Sequence, residues 1–242
     1  MRLASLILVL LFCAPQGEAA SVHDPFAAGM TAYRSGDYAE AARRFREVVR
    51  AQPATGTLVN LGLAEWQQGR VGEAMIAWEQ ARWLDPFETR ARNNLQFART
   101  RAQLESPELA WYEIASTWLP PQWWPWIVGG SLWFVVGVLT LPAVLGWRKA
   151  PWQQALAALG LGVLLLSLPA HVGVLTRAQL GFVLEKDVTL RLTPTAEAEG
   201  VTQLTAGEPA RRLRTRGNYI FIRTNHAAGW VQREEFALVC AW

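Results

Sequence analysis

Two stretches of the chain carry no charge over lengths that few environments tolerate. IVGGSLWFVVGVLTLPAVL occupies 127–145 and ALAALGLGVLLLSLPAHVGVL occupies 155–175. About 20 apolar residues in a helix cross the hydrocarbon core of a bilayer, and a soluble core helix is seldom so long and so uniformly apolar. The pattern predicts transmembrane helices over 123–147 and 155–176 with a hairpin at 148–154. The first is preceded by WLPPQWWPW, residues 118–126, four tryptophans and three prolines in nine positions. Tryptophan collects where an apolar medium meets a wet one. Trp123, Trp124 and Trp126 at one end, with Trp147 and Trp152 at the other, read as aromatic belts. The prolines interrupt helix between the span and a preceding interfacial segment, 106–122. There Ser106 and Pro107 read as an N-cap and first helical residue. Trp111, Ile114, Ala115, Trp118 and Leu119 then share one face of a short amphipathic helix.

Composition agrees with a chain whose apolar excess sits in such spans. Hydrophobic residues make up 51% and charged residues 18%, against about 25% charged in an ordinary soluble domain. The basic residues are almost all arginines scattered among acids, with Lys149 and Lys186 the only lysines, which gives a nucleic-acid-binding reading little support. Residues 1–20 combine Arg2, the apolar run Leu3–Ala14 and a Gly17-x-Ala19 site, the pattern of a secretory signal peptide, with an uncleaved anchor as the alternative. Phe12 before Cys13 speaks against a lipoprotein signal. The hairpin carries Arg148 and Lys149 while 106–126 carries no Lys or Arg. The positive-inside bias then places the hairpin in the cytoplasm and both larger regions outside, in the periplasm.

Residues 24–86 repeat themselves. Gly29 aligns with Gly62, Tyr33 with Trp66, Gly36 with Gly69, Ala41 with Ala74, Phe45 with Trp78 and Pro53 with Pro86, each pair 33 positions apart. Small residues let two antiparallel helices approach, Gly36 and Gly69 close the turn between them, and the prolines stop the second helix. This resembles the tetratricopeptide repeat. Two repeats bury little alone. Glu88–Leu104, with Ala91, Leu95, Ala98 and Ala102 at helical spacing and arginines opposite, is expected to cap an all-α solenoid over 24–105.

From 183 the pattern changes to short alternating runs, VTLRL, RRLRTR and YIFIR, separated by Pro194, Gly200, Gly207 and Gly217. That predicts a small antiparallel barrel over 180–242. Val188-x-Leu190-Arg191 with Pro194, Leu204 before Gly207, Tyr219 opening the strand with Ile222, and Gly229-Trp230-Val231 before Phe236 resemble the bacterial SH3 family. The expected fold is therefore multidomain: an all-α tetratricopeptide solenoid, a two-helix transmembrane hairpin and a small all-β SH3-like barrel.

No catalytic set stands out, and none is assigned. One cysteine beyond the signal and three isolated histidines build no metal-ligand spacing, and no cofactor is implied. His171 lies near the outer end of the second span and reads as interfacial; His226 sits in a turn, and Cys240 lacks a histidine or CxxC context. Binding surfaces are better supported. The resemblance to tetratricopeptide modules implies that the first helix of each pair lines a peptide groove. The candidates are Met30, Tyr33, Arg34, Val59, Leu63, Trp66 and Gln67, each of which could instead only pack the repeats. On the barrel, Arg212, Arg214 and Arg216 are expected to share one strand face by period two. With Tyr219 and Trp230 they form a second candidate surface, the alternative being a solvated face.

The order of signal, repeats, paired spans and terminal SH3-like segment resembles the BatE family of the bacterial aerotolerance operon. That resemblance implies a non-enzymatic inner-membrane scaffold. Its implied partners are the bilayer and other membrane proteins, von Willebrand A-domain proteins and a MoxR-type ATPase complex among them. The rival expectation is a barrel anchored to peptidoglycan while the repeats recruit a cell-wall enzyme.

Overall fold

The computed structural model describes residues 25–146 and 150–240. The expected signal peptide, Cys13, Trp147 and the hairpin charges Arg148 and Lys149 lie outside them. Four helices form two antiparallel pairs: α1 (Pro25–Arg34) with α2 (Tyr38–Ala51), and α3 (Thr55–Gln67) with α4 (Val71–Leu84). Gly36 and Gly69 turn the chain within each pair at φ of 83° and 75°, a left-handed conformation that glycine adopts without a Cβ clash. Asp37 caps α2 by accepting from the Glu40 amide at 3.0 Å. Gly29 lies against the Phe45 ring, and Gly62 lies so close to the Trp78 indole that a methyl there would collide with it. The glycine–aromatic alignment read from the repeat is thus the packing contact itself. The expected capping helix is α5 (Thr89–Ala102), which buries Ala91, Leu95 and Ala98.

The following segment differs from expectation. Residues 105–110 are not helical, and α6 comprises only Trp111–Ser116. Its cap is the Glu113 carboxylate, which accepts from the Ala110 amide at 2.9 Å, so Ser106 and Pro107 do not open a helix. Trp111, Ile114 and Trp118 remain exposed. Two long helices follow, α7 (Trp123–Val144, 22 residues) and α8 (Pro151–Arg177, 27 residues), both long and apolar enough to cross a membrane. Gly160 of α8 admits Phe134 and Val135 of α7, a small residue letting two apolar helices close up. Trp123, Trp126 and Trp152 are exposed, as belts require, but Trp124 is buried. Its indole N–H donates to the Ser116 carbonyl at 3.1 Å, tying α7 to α6 instead of facing outward.

Seven strands follow: β1 (Leu180–Val183), β2 (Val188–Arg191), β3 (Gly200–Leu204), β4 (Pro209–Arg216), β5 (Tyr219–Arg223), β6 (Ala228–Gln232) and β7 (Phe236–Leu238). The sheet is antiparallel, with order β3-β2-β6-β5-β4-β1-β7. The expected closed barrel is not formed, because β3 and β7 are its two ends and do not pair with each other. The physical reason lies in β1 and β7. Leu180, Phe182 and Val239 join the core made by Leu58, Val59, Met75, Trp78 and Leu95 of the helices. The Gln80 amide of α4 reaches the Leu238 carbonyl at 3.4 Å, so a helix covers the edge that a closing strand would otherwise take. Gly72 of α4 lies against the carbonyls of Val183 and Leu184, leaving no space for a side chain. Repeats and sheet therefore share one apolar core, while a second cluster around Val188, Leu190, Ile222 and Val231 fills the sheet's own interior.

Candidate functional site

The groove candidates divide by burial. Val59 is 1% exposed, and its carbonyl accepts from the Trp78 indole at 3.2 Å; it belongs to the core and cannot line a groove. Leu63 packs on the same core. Trp66 is partly buried between Trp78, at 6.1 Å, and Phe97 of α5, at 5.7 Å centroid to centroid. On α1, Tyr33 stacks edge-on against Tyr38 at 5.3 Å, and the Met30 sulfur lies 3.6 Å from the Asn60 amide. Arg34 and Gln67 are exposed. A half-exposed aromatic surface thus runs from Trp66 to Phe97, which is 58% exposed. Phe97 is missing from the groove read from sequence, although an aromatic residue among the arginines of α5 was the available signal.

Glu65, the neighbour of Trp66 on α3, is 1% exposed and paired with Arg46 and, at 3.1 Å, with Arg70. Burial raises its pKa, and the two guanidiniums pull it down without cancelling that rise.

On the sheet, the shared arginine face is corrected by the register. Arg216 stands opposite Tyr219 and Arg214 opposite Phe221, but Arg212 stands opposite Ile222, with a bulge between Arg212 and Arg214. An extra residue in one strand breaks the alternation of faces. Arg212 instead turns to Gln179, to which its guanidinium donates at 2.9 Å. Arg214 lies over the Phe221 ring at 5.9 Å, and Phe221 meets Trp230 at 5.2 Å. Tyr219, Phe221, Trp230, Arg214 and Arg216 consequently occupy one outer face.

A charged seam that sequence reading misses joins the parts. Glu113 of α6 is 1% exposed and accepts two hydrogen bonds from Arg211 of β4, both at 2.7 Å. Burial pushes the Glu113 pKa up, but the Arg211 bonds, the Ala110 amide and Thr176 outweigh it and hold the carboxyl below its ordinary range. Arg211 also donates to the Glu108 carbonyl at 2.9 Å. Arg177, at the end of α8, donates to Ser116 Oγ at 2.9 Å and lies 5.1 Å over the Trp83 ring. Gly173 of α8 abuts the Tyr112 carbonyl. His171 is only half-buried, yet its Nδ1 is buried and has no hydrogen-bond partner among the described residues, whereas His226 pairs with Glu105 at 3.2 Å. Cys240 packs against the shared core. Among the described residues no three His, Cys, Asp or Glu side chains gather as a metal site.

With this geometry in place, the comparison with known families is specific for one region. Residues 26–82 match the tetratricopeptide repeat family. This is the region of α1 to α4, whose paired helices have the architecture of such repeats, and repeats of this kind imply protein partners. No curated protein matches the chain.

Proposed function

We propose that the chain is a non-enzymatic scaffold of the bacterial inner membrane, anchored by α7 and α8. In this reading it presents its repeat groove and the outer face of its sheet to protein partners on one side of the bilayer. The observation that supports this most directly is the shared core of helices and sheet at one end of the long helices. A single body holds the start of α7 through Trp124 and the end of α8 through Arg177. Fixing two binding faces beside a bilayer raises their effective concentration for other membrane proteins. The resemblance to the BatE family supports von Willebrand A-domain proteins and a MoxR-type ATPase complex as the partner class. Photo-crosslinking from position 33, 66 or 97 in intact cells tests the groove. Capture of a membrane protein from these positions, and none from position 43 on the far helix, is the expected result. Protease added to spheroplasts should cut both the repeats and the sheet; protection of either would sink the shared-side arrangement.

The second reading, attachment to peptidoglycan, draws on the arginine and aromatic residues of the outer sheet face. Because the sheet buries Leu180, Phe182 and Val239 against the helices, the full chain in detergent is the fair probe. Retention on purified sacculi that Arg214→Ala abolishes would favour this reading over the scaffold.

A further inference from the structure

Below the repeats, two adjoining cavities form one basic cleft. The inner one, about 140 Å³, is walled by Glu79, Arg82, Arg99, Arg177 and Trp83. The outer one, about 650 Å³, shares Arg82 and Arg99 and adds Arg92. Among the residues that line the two cavities Glu79 is the one carboxylate beside these four guanidiniums, and the Glu113 charge also reaches Arg177. Glu79 accepts from Arg99 at 2.7 Å and from Arg82 at 3.4 Å. Four guanidiniums against these carboxylates leave the cleft with a net positive charge. The Nε atoms of both Arg82 and Arg99 are buried with no hydrogen-bond partner among the described residues. Buried guanidinium donors without an acceptor are rare in folded proteins, because the lost hydration is not replaced. Arg177 is held in place by the Trp83 ring at 5.1 Å and Ser116 Oγ at 2.9 Å, so its charge is positioned before any ligand arrives.

We infer that this cleft binds a phosphate group. Several planar guanidiniums around a confined, under-neutralised space match the charge and the multiple acceptor oxygens of phosphate. The guanidiniums that line the cleft are where such oxygens would sit, and the buried Nε donors of Arg82 and Arg99 add charge-bearing groups whose hydration is not replaced. The phosphate comes either from an anionic phospholipid headgroup or from a soluble phosphate. The first source rests on the membrane reading above, since Arg177 closes the long apolar helix α8; the second does not.

The test is calorimetric titration of the full chain in a neutral detergent with three probes: short-chain phosphatidylglycerol, short-chain phosphatidylcholine and inorganic phosphate. Saturable binding of phosphatidylglycerol alone assigns the lipid source, and binding of inorganic phosphate assigns the soluble one. In either case Arg92→Gln and Arg82→Gln each weaken binding about tenfold or more, as expected for a lost charged hydrogen bond. Glu79→Gln, which removes the competing carboxylate, tightens it. That opposite sign separates a ligand site from mere structural damage, and exposed Arg92 keeps the test open if a buried variant fails to fold. Absence of saturable binding for all three probes, or binding that both arginine variants leave unchanged, overturns the inference. Failure of the membrane reading shows separately, as a chain that stays soluble without detergent while still binding inorganic phosphate.

Discussion

The repeat pairs and the seam beneath them are assembled by different forces. Within a pair, a glycine backbone meets an aromatic ring: Gly29 meets Phe45 and Gly62 meets Trp78. At the seam, α6, α8 and β4 come together around Glu113, Arg211, Ser116 and Arg177. The buried carboxylates make the contrast measurable. Glu65, inside the repeats, has its pKa raised because burial outweighs Arg46 and Arg70. Glu113, at the seam, has its pKa lowered because Arg211 and its other hydrogen bonds outweigh burial. Neighbours in sequence dock here chiefly through apolar shape, with the buried Glu65 paired to Arg46 and Arg70 beside it. At the seam, elements far apart in sequence meet through directional, charge-assisted bonds that define one arrangement, whereas β1 and β7 reach the repeats through the shared apolar core.

The most severe test of this contrast is Trp78→Ala. It removes the largest fully buried side chain of the repeats and should cost about 3–5 kcal/mol, read as the urea-unfolding free energy in mild detergent. No single second change should restore it. At the seam, Arg211→Met leaves Glu113 buried and unpaired and should cost about 3 kcal/mol, while the double variant Arg211→Met with Glu113→Leu should recover most of that loss. If the double variant is as unstable as the single, the seam packs like the repeats and the contrast fails.

Acid sharpens the comparison with a smaller effect of opposite sign at the two carboxylates. Glu113 has a folded pKa below 4.5, so its stabilisation is present above 4.5 and is lost as pH falls through the depressed value. Glu65 has a folded pKa above 4.5, so ionising it opposes folding, and stability rises as pH falls from that raised value towards 4.5. Stability profiles between pH 7 and 3 should lose the low-pH drop in Glu113→Gln and the preceding rise in Glu65→Gln. The smallest effect is expected on the surface of α2, where Arg43 pairs with Glu40 and Glu47 while 53% exposed. Arg43→Ala should leave the melting temperature unchanged within error.

What could be read in advance follows from the same contrast. The repeat pairs, the capping helix and the two long apolar helices depend on contacts a few turns to one repeat apart, and their periodicity is visible in the chain. The Glu113–Arg211 pair joins residues 98 positions apart, and no local pattern marks either partner. The burial of Leu180, Phe182 and Val239 among helices has the same cause, because alternation in a strand shows which residues turn inward but not what they meet. The bulge in β4 moved Arg212 off the face expected for it; a single extra residue is invisible to a period of two. Val59 was misplaced because small helix-facing residues look alike whether they line a groove or fill a core.

The open sheet also limits how copies of this chain could associate. One border, β7, is occupied by Gln80 and the helical body, whereas β3 presents Val201, Thr202 and Gln203 to solvent and, among the described residues, pairs on one side only. A molecule with one vacant border can recruit a single antiparallel twin and then has none left. Strand addition at β3 would stop at a pair, because the helix beside β7 closes off the second border that stacking into long fibres needs.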